Sequence, residues 1–384
     1  MANFRYKSVS AGGDVVQGTL EARDQGAAVN QLHLMGHTPV RVEAAGGSGL
    51  LDLLNLEVGT ARPASGGEID HMGALLDEAL EAGCIGFSTG LAYATAIAAP
   101  AQEVSALAAR VKPAGGLFSI HVRDEGDKLI EAIDETLAIA WESDVPVVIS
   151  HHKACARANW GKTEKTLEMI ETARQAGQTV ELDTYPYTAS STILIPHFAA
   201  RAERTVISWS TPHPEMTGRD LDEIAEEWGL SFEETVARLL PAGAIYFQMD
   251  EDDLRRILRY PRTMIGSDGL PHDLRPHPRL WGSFSRVLGR YVRDENLLSL
   301  QDAVHRMTGL PAQVYGFKDR GTIAAGKAAD LVLFDLGAIA DTATYDDPQS
   351  PARGIARVLV NGETVWAEGS HTGARPGRLL RRAS

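Results

Sequence analysis

The chain has 384 residues, 44% of them hydrophobic and 23% charged, which suits a soluble globular protein of two or three domains or one large α/β barrel with an appendage. Lysine and arginine number 37 against 51 aspartates and glutamates, a net charge of −14, and that balance disfavours nucleic acid and anionic membranes as partners. With only two cysteines, Cys84 and Cys155, the chain fits a reducing compartment rather than a disulfide framework.

Residues 1–45 read as a small ββαβ unit. "FRYKSV" and "VVQGTLEA" flank the turn residues of "SAGGD", as in a hairpin. Ala28, Val29, Leu32 and Met35 share one helical face before Gly36, and "TPVRVEA" alternates like a strand. His33 and His37 have the four-residue spacing of ligands on a helix. Gly36 intervenes and no third donor is near, so no metal is expected there. "ANFRYKS" after Met1 lacks the apolar core of a secretory signal, and the product is read as cytoplasmic. No run approaches the ~20 apolar residues of a membrane span. "AAGGSG" at 44–49 reads as a linker.

From about residue 66 strand and helix alternate. Met72, Leu75, Leu76, Ala79 and Leu80 give a helix over 67–83. Then follow strand "CIGFSTG", helix 101–112, strand "LFSIHVR", helix 126–143, strand "VPVVISHHK", helix 162–176 and strand "TVELDTYPY". The strands are apolar throughout, which indicates a parallel sheet covered by helices. Residues 192–262 break the rhythm with the amphipathic helices "GRDLDEIAEEWG" and "SFEETVARLL" and the strand-like "AIYFQMD". "TMIGSDG" restores a buried strand, 286–316 is helical, and short β-strands follow from 321. The basic tail "GARPGRLLRRAS" reads as solvated.

Polar residues collect where the parallel strands end: His121, His151, Asp183 with Tyr185, and Asp268. In a (β/α) barrel such ends open into one mouth, where catalytic residues sit. Two imidazoles there make a credible zinc site with an open position for water. Asp268 is then placed to move a proton. His152 points away from His151 if the strand continues, so it is read as structural or as a support behind the ligands. Asp183 is a ligand or, preferably, a hydrogen-bond acceptor. Cys84 begins a strand and reads as a small buried hydrophobe, and nothing marks Cys155 as reactive. In the loop "GSDGLPHDLRPHPRLWG", Arg279 either clamps a substrate carboxylate or braces the loop.

Residues from about 63 to 384 resemble the N-acyl-D-amino-acid deacylases, or D-aminoacylases, of the amidohydrolase superfamily. The carrying stretches include "EALEAGCIGFSTGLAY", "SIHVRDEGD", "VVISHHKA", "DTYPYTASST", "TMIGSDGLPHDLRPHPRLWG" and "MTGLPAQVYGFKDRGTIAAGKAADLVLFD". The resemblance implies a zinc-dependent TIM-like barrel with a small β-sandwich, hydrolysing N-acyl-D-amino acids. It places His121 and His151 on zinc and makes Asp268 catalytic. Lys153, Tyr185, Ser190 and Arg279 fall in the region that handles the substrate carboxylate and acyl group.

The departures are specific. The family begins with a His-x-His strand and takes a cysteine ligand from a later early strand. This chain has no His-x-His, and Cys84 lies in a different motif. The implied fold is an incomplete barrel over 58–320 lacking its first strands, followed by sandwich strands over 321–384. The missing ligands would weaken activity, and the open sheet edges favour self-association. Residues 1–57 form the separate unit; "MANFRYKSVSAGGDVVQGTLEARDQGAAVNQLHLMGHTPVRVEA" resembles the N-terminus of the type II secretion system inner-membrane F protein. The chain thus reads as a fusion joined near 58–66. The rival reading is an inactive fragment whose N-terminal module binds secretion components.

Overall fold

A computed structural model describes residues 2–10, 15–22, 28, 29, 31, 32, 35, 37–44, 62–271 and 273–381. The His33–His37 pairing, nearly all of the linker at 44–49 and the first part of the junction at 58–66 lie outside the described residues. The chain divides into two compact units, Met1–Thr60 and Ala61–Ser384.

The first unit is an antiparallel sheet of β1 (Ala2–Ser10), β2 (Val15–Ala22) and β3 (His37–Ala44), in the order β2-β1-β3. Phe4 lies opposite Leu20 on one side and Ala44 on the other. Successive strand residues point to opposite faces, so Phe4, Ala22 and Val42 reach one core, which Ala28 and Leu32 cover. Residues 28, 29, 31 and 32 are helical.

The second unit opens with α1 (Gly66–Glu81), whose start is set by a reciprocal cap between Ser65 and Glu68. There follow β4 (Gly86–Gly90), α2 (Ala101–Ala109), β5 (Leu117–His121), α3 (Leu129–Ser143), β6 (Val147–Ile149), α4 (Lys162–Gln175) and β7 (Val180–Thr184). A second sheet then interrupts the alternation. Its strands are β8 (Ala189–Ile193), β9 (Arg204–Ser210) and β10 (Ala242–Phe247), antiparallel in the order β8-β10-β9. Three helices lie among them: α5 (Pro196–Arg201), α6 (Leu221–Trp228) and α7 (Phe232–Leu239). Helix α8 (Glu251–Arg259) leads to β11 (Thr263–Ile265), which returns to the parallel sheet.

Among the described residues the parallel sheet has five strands, in the order β11-β7-β6-β5-β4, and is not closed into a barrel. Its strands are apolar because helices cover them: Phe118, Ile120, Val147, Ile149 and Leu182 share one core with Ile133 and Ile139 of α3 and Ile170 of α4. The strands are also shorter than their apolar runs. "VPVVISHHK" contributes only three strand residues, and "TMIGSDG" likewise. Strand β8, in "ASSTI", carries no apolar signature and was not anticipated.

After β11 come α9 (Arg279–Arg286), α10 (Leu300–Met307) and α11 (Gly309–Val314). An antiparallel sheet of β12 (Leu331–Phe334), β13 (Ile355–Val360), β14 (Glu363–Ala367) and β15 (Ser370–His371) ends the unit. No helix among the described residues is long and apolar enough to cross a membrane.

Candidate active site

Parallel register aligns the strand ends. Gly90 pairs with His121, Ile120 with Ile149, and Thr184 with Ile265. The loops leaving β4, β5, β6, β7 and β11 therefore emerge together. His121 is the last residue of β5. His151 lies past the end of β6, where the backbone turns to a φ of 41°, uncommon for a residue with a Cβ. The turn is held by the His151 N–H, which donates to Asp183 Oδ1 at 2.8 Å. Asp183 is thus a hydrogen-bond acceptor.

The turn carries the His151 ring to His121. Nδ1 of His121 and Nε2 of His151 are 2.9 Å apart, and the rings meet edge-on with centroids 4.5 Å apart. Glu125 faces the other side of both rings. Its Oε1 is 3.1 Å from His151 Nδ1 and its Oε2 is 4.0 Å from His121 Nε2. His121, Glu125 and His151 are the one group of three among the described residues whose candidate ligand atoms all lie within 4.8 Å of one another. Lys153 pairs with Glu125 and donates to the His151 carbonyl at 2.7 Å.

The electrostatics follow from burial around one ion pair. Burial would raise the Glu125 carboxyl, but Lys153 and the two histidines hold it well below the usual carboxylate range. Burial lowers His121 to about 4, against the raising influence of Glu125, so its ring is neutral at pH 7 and has a lone pair to offer. Burial likewise lowers His152 to about 4. The His152 Nε2 is 2.7 Å from Thr166 Oγ1, which makes it a structural residue of the β6–α4 connection. Tyr93 lies against the first histidine, its ring centroid 5.0 Å from that of His121. Its hydroxyl is 3.1 Å from Thr192 Oγ1 on β8.

A second cluster forms around Tyr185. The Arg279 guanidinium lies over the Tyr185 ring, 4.4 Å from its centroid, and the Lys153 ammonium is 5.5 Å from the same centroid. Arg279 is 1% exposed. Its Nη2 binds Asp268 Oδ2 at 2.9 Å and donates to the Ser191 carbonyl at 3.0 Å. Its Nε and Nη1 are buried without a hydrogen-bond partner. Asp268 stands past the end of β11 with a φ of 47°, and its charge is felt at His121, Asp183 and Tyr185. Ser190, on β8, accepts from Gln248 Nε2 at 2.9 Å.

Residues 162–366 match the family described as Amidohydrolase family. The D-aminoacylase of Alcaligenes xylosoxydans xylosoxydans is 48% identical over 358 residues, which cover 93% of this chain and 71% of that protein. The chain belongs to the N-acyl-D-amino-acid deacylase family of amidohydrolases. The N-acyl-D-glutamate deacylase of the same organism is also 48% identical, covering 95% of this chain and 72% of its own. The structure of an N-acyl-D-glutamate deacylase from Bordetella bronchiseptica, complexed with zinc and a phosphonate mimic of the tetrahedral intermediate, superposes with a TM-score of 0.81 at 44% identity. That match covers 93% of this chain and 75% of the other. Residues 1–43 match a second family, the N-terminal domain of type II secretion system protein F.

The unclosed α/β architecture is thus a deacylase fold. Of the residues singled out in the sequence, His121 and His151 meet directly, and Asp268, Tyr185 and Arg279 meet around one guanidinium. Lys153 reaches both clusters but spends its protons on Glu125 and the His151 region. Asp268 pairs directly with Arg279, and its charge also acts on His121. Cys84 is exposed rather than buried, since it leads into β4, an edge strand of the parallel sheet. Two residues packed against the histidine pair were missed. Tyr93 carries no sequence signal. Glu125 had one, its four-residue spacing from His121, which lay unread in "SIHVRDEGD".

Proposed function

We propose that this chain hydrolyses the amide of N-acyl-D-amino acids in a zinc-dependent reaction. The observation that carries the reading is the 2.9 Å approach of His121 Nδ1 to His151 Nε2 at two aligned strand ends. The residues fit such an ion. Two imidazoles and a carboxylate converge, His121 Nδ1 and His151 Nε2 face each other at 2.9 Å, and N and O donors are those zinc takes. His121 and His151 would hold it. When bound, zinc polarises the amide carbonyl and makes water a nucleophile near neutral pH.

The chain's own residues supply the rest. Arg279 has two buried nitrogens, Nε and Nη1, with no partner in the protein, and buried donors of this kind are almost always paired. The α-carboxylate of the substrate satisfies them, on a guanidinium already fixed by Ser191 and Tyr185. Asp268, held by the same guanidinium, takes the proton from water and delivers it to the leaving amine. Ser190 and Lys153 complete the acyl and carboxylate walls.

Two wider readings accompany this one. Both cysteines are free thiols, in keeping with a cytoplasmic protein. The unclosed sheet, with β4 and β11 at its edges, supports self-association.

The test is metal analysis of the purified chain together with hydrolysis of N-acetyl-D- and N-acetyl-L-amino acids. Zinc uptake and turnover of the D series, both lost in His151→Ala, bear the reading out. A zinc-free protein with no turnover after zinc addition overturns it.

A further inference from the structure

We propose that Glu125 is the positioning carboxylate for both imidazoles, and that His151 changes tautomer when a cation is loaded. The inference rests on the zinc-dependent reading above. Two hydrogen-bond chains are open to the cluster, and they differ in which nitrogen of His151 carries the proton.

In the first chain Lys153, which has only protons to give, donates to His151 Nδ1 at 2.7 Å. The proton of His151 is then on Nε2, and it is donated to His121 Nδ1 at 2.9 Å. His121 is left protonated on Nε2, buried and without a partner. The space between the rings holds no free lone pair in this state. It is the arrangement of the cation-free site.

In the second chain the lone pairs of His121 Nδ1 and His151 Nε2 both face the space between the rings, as ligation requires. Each ring then carries its proton on the outer nitrogen. Both outer nitrogens look onto one carboxylate, His151 Nδ1 at 3.1 Å from Oε1 and His121 Nε2 at 4.0 Å from Oε2 of Glu125. Lys153 loses nothing by releasing His151 Nδ1. It keeps Glu125 and the His151 carbonyl as acceptors, and it neutralises a carboxylate that is 6% exposed. The change moves one proton from Nε2 to Nδ1 of a single ring and leaves the net charge unaltered.

Carboxylates behind ligating histidines fix ring orientation and tautomer, and removing one costs roughly 10- to 100-fold in metal affinity. Here one carboxylate serves two rings. Its placement in the chain explains how: it follows His121 by four residues, while His151 is brought to it by the turn that Asp183 holds.

The experiment uses the full chain, stripped with a chelator and reloaded with Zn²⁺. Long-range ¹H–¹⁵N correlation of the histidine rings is expected to show His151 as Nε2–H without zinc and Nδ1–H with it, and His121 as Nε2–H in both. In competition with a chromophoric chelator, Glu125→Gln is expected to bind zinc about 10- to 100-fold more weakly, with part of the loss recovered in Glu125→Asp. An unmoved His151 tautomer in zinc-loaded protein overturns the inference, and so does E125Q affinity within twofold of the parent. Visible bands of Co²⁺-loaded E125Q displaced from those of the parent make Glu125 a ligand and overturn the positioning role. Failure of the parent chain to bind zinc, or undiminished binding by His151→Ala, defeats the zinc-dependent reading itself and this inference with it.

Discussion

Asp268 Oδ2 lies 2.9 Å from Nη2 of Arg279, a guanidinium that is 1% exposed. In the proposed reaction one buried cation orients the acid–base carboxylate and leaves two nitrogens, Nε and Nη1, for a substrate. The two jobs separate by mutation. Arg279→Lys removes the planar fork but keeps the charge. Losing a charge-assisted hydrogen bond costs about 1.5–3 kcal/mol, so kcat/KM for N-acetyl-D-amino acids should fall about 10- to 150-fold, mostly through KM. Asp268→Asn should lower kcat by about 10²–10⁴ with zinc content unchanged. Steady-state kinetics beside metal analysis decides both.

Zinc should stabilise the fold. A ligand at 100 times its Kd adds about 2.7 kcal/mol, and the donors come from β5 and the β6–α4 connection, both in the main core. Thermal unfolding with and without Zn²⁺ should show a rise of several degrees in the parent chain. His151→Ala should show none.

The two thiols should differ sharply. Cys84 is exposed and Cys155 is fully buried, and burial beside Glu125 raises the Cys155 thiol. A thiol reagent at pH 8 should modify one cysteine in the native protein and two in denaturant, with peptide mapping placing the first on Cys84.

Gly90 gives Tyr93 room to lie against His121. A Cβ on Gly90 would stand 2.8 Å from the Tyr93 ring. Gly90→Ala should cost about 1–3 kcal/mol through overpacking and lower kcat/KM by disturbing the His121 face. Combined with Tyr93→Ala, the same substitution should cost far less. The four-variant cycle of unfolding free energies tests this coupling.

His277 should make stability fall in mild acid. Its Nε2 donates to the Ala189 carbonyl and its Nδ1 accepts from the Arg279 N–H, so both nitrogens are used by the neutral ring. Burial, aided by Arg279, holds it well below the usual histidine range. The unfolded chain takes up this proton near pH 6.5, whereas the folded chain does so only at lower pH. The contribution is complete above pH 6.5 and is lost as pH falls below it, at up to about 1.4 kcal/mol per pH unit. Urea unfolding at pH 7.5 and 5.5 should show a smaller difference for His277→Gln than for the parent.

Strand and helix were legible where side-chain periodicity is local. The apolar runs at "LFSIHVR" and "VPVVISHHK" marked buried parallel strands because one face of each packs under α3 and α4 while Leu117 and Val148 on the other pack with Met264 and Leu310. His121 and His151 stood out as polar residues closing those runs. Strand β8 was invisible because "ASSTI" owes its pairing to β10, some fifty residues on, and not to its own composition. Cys84 was misread because an apolar neighbourhood in sequence does not report which strand lies at the edge of a sheet.

By itself the sequence determined the alternation of strand and helix, the strand-end histidines and the acidic, thiol-poor character of the chain, all properties of residues and their near neighbours. The tertiary structure decided what those residues face. It turned His151 onto His121 through a backbone bend held by Asp183, buried Glu125 against Lys153, and paired Asp268 with Arg279. These outcomes depend on register between strands and on which charges are withdrawn from water together, and neither is encoded in spacing along the chain.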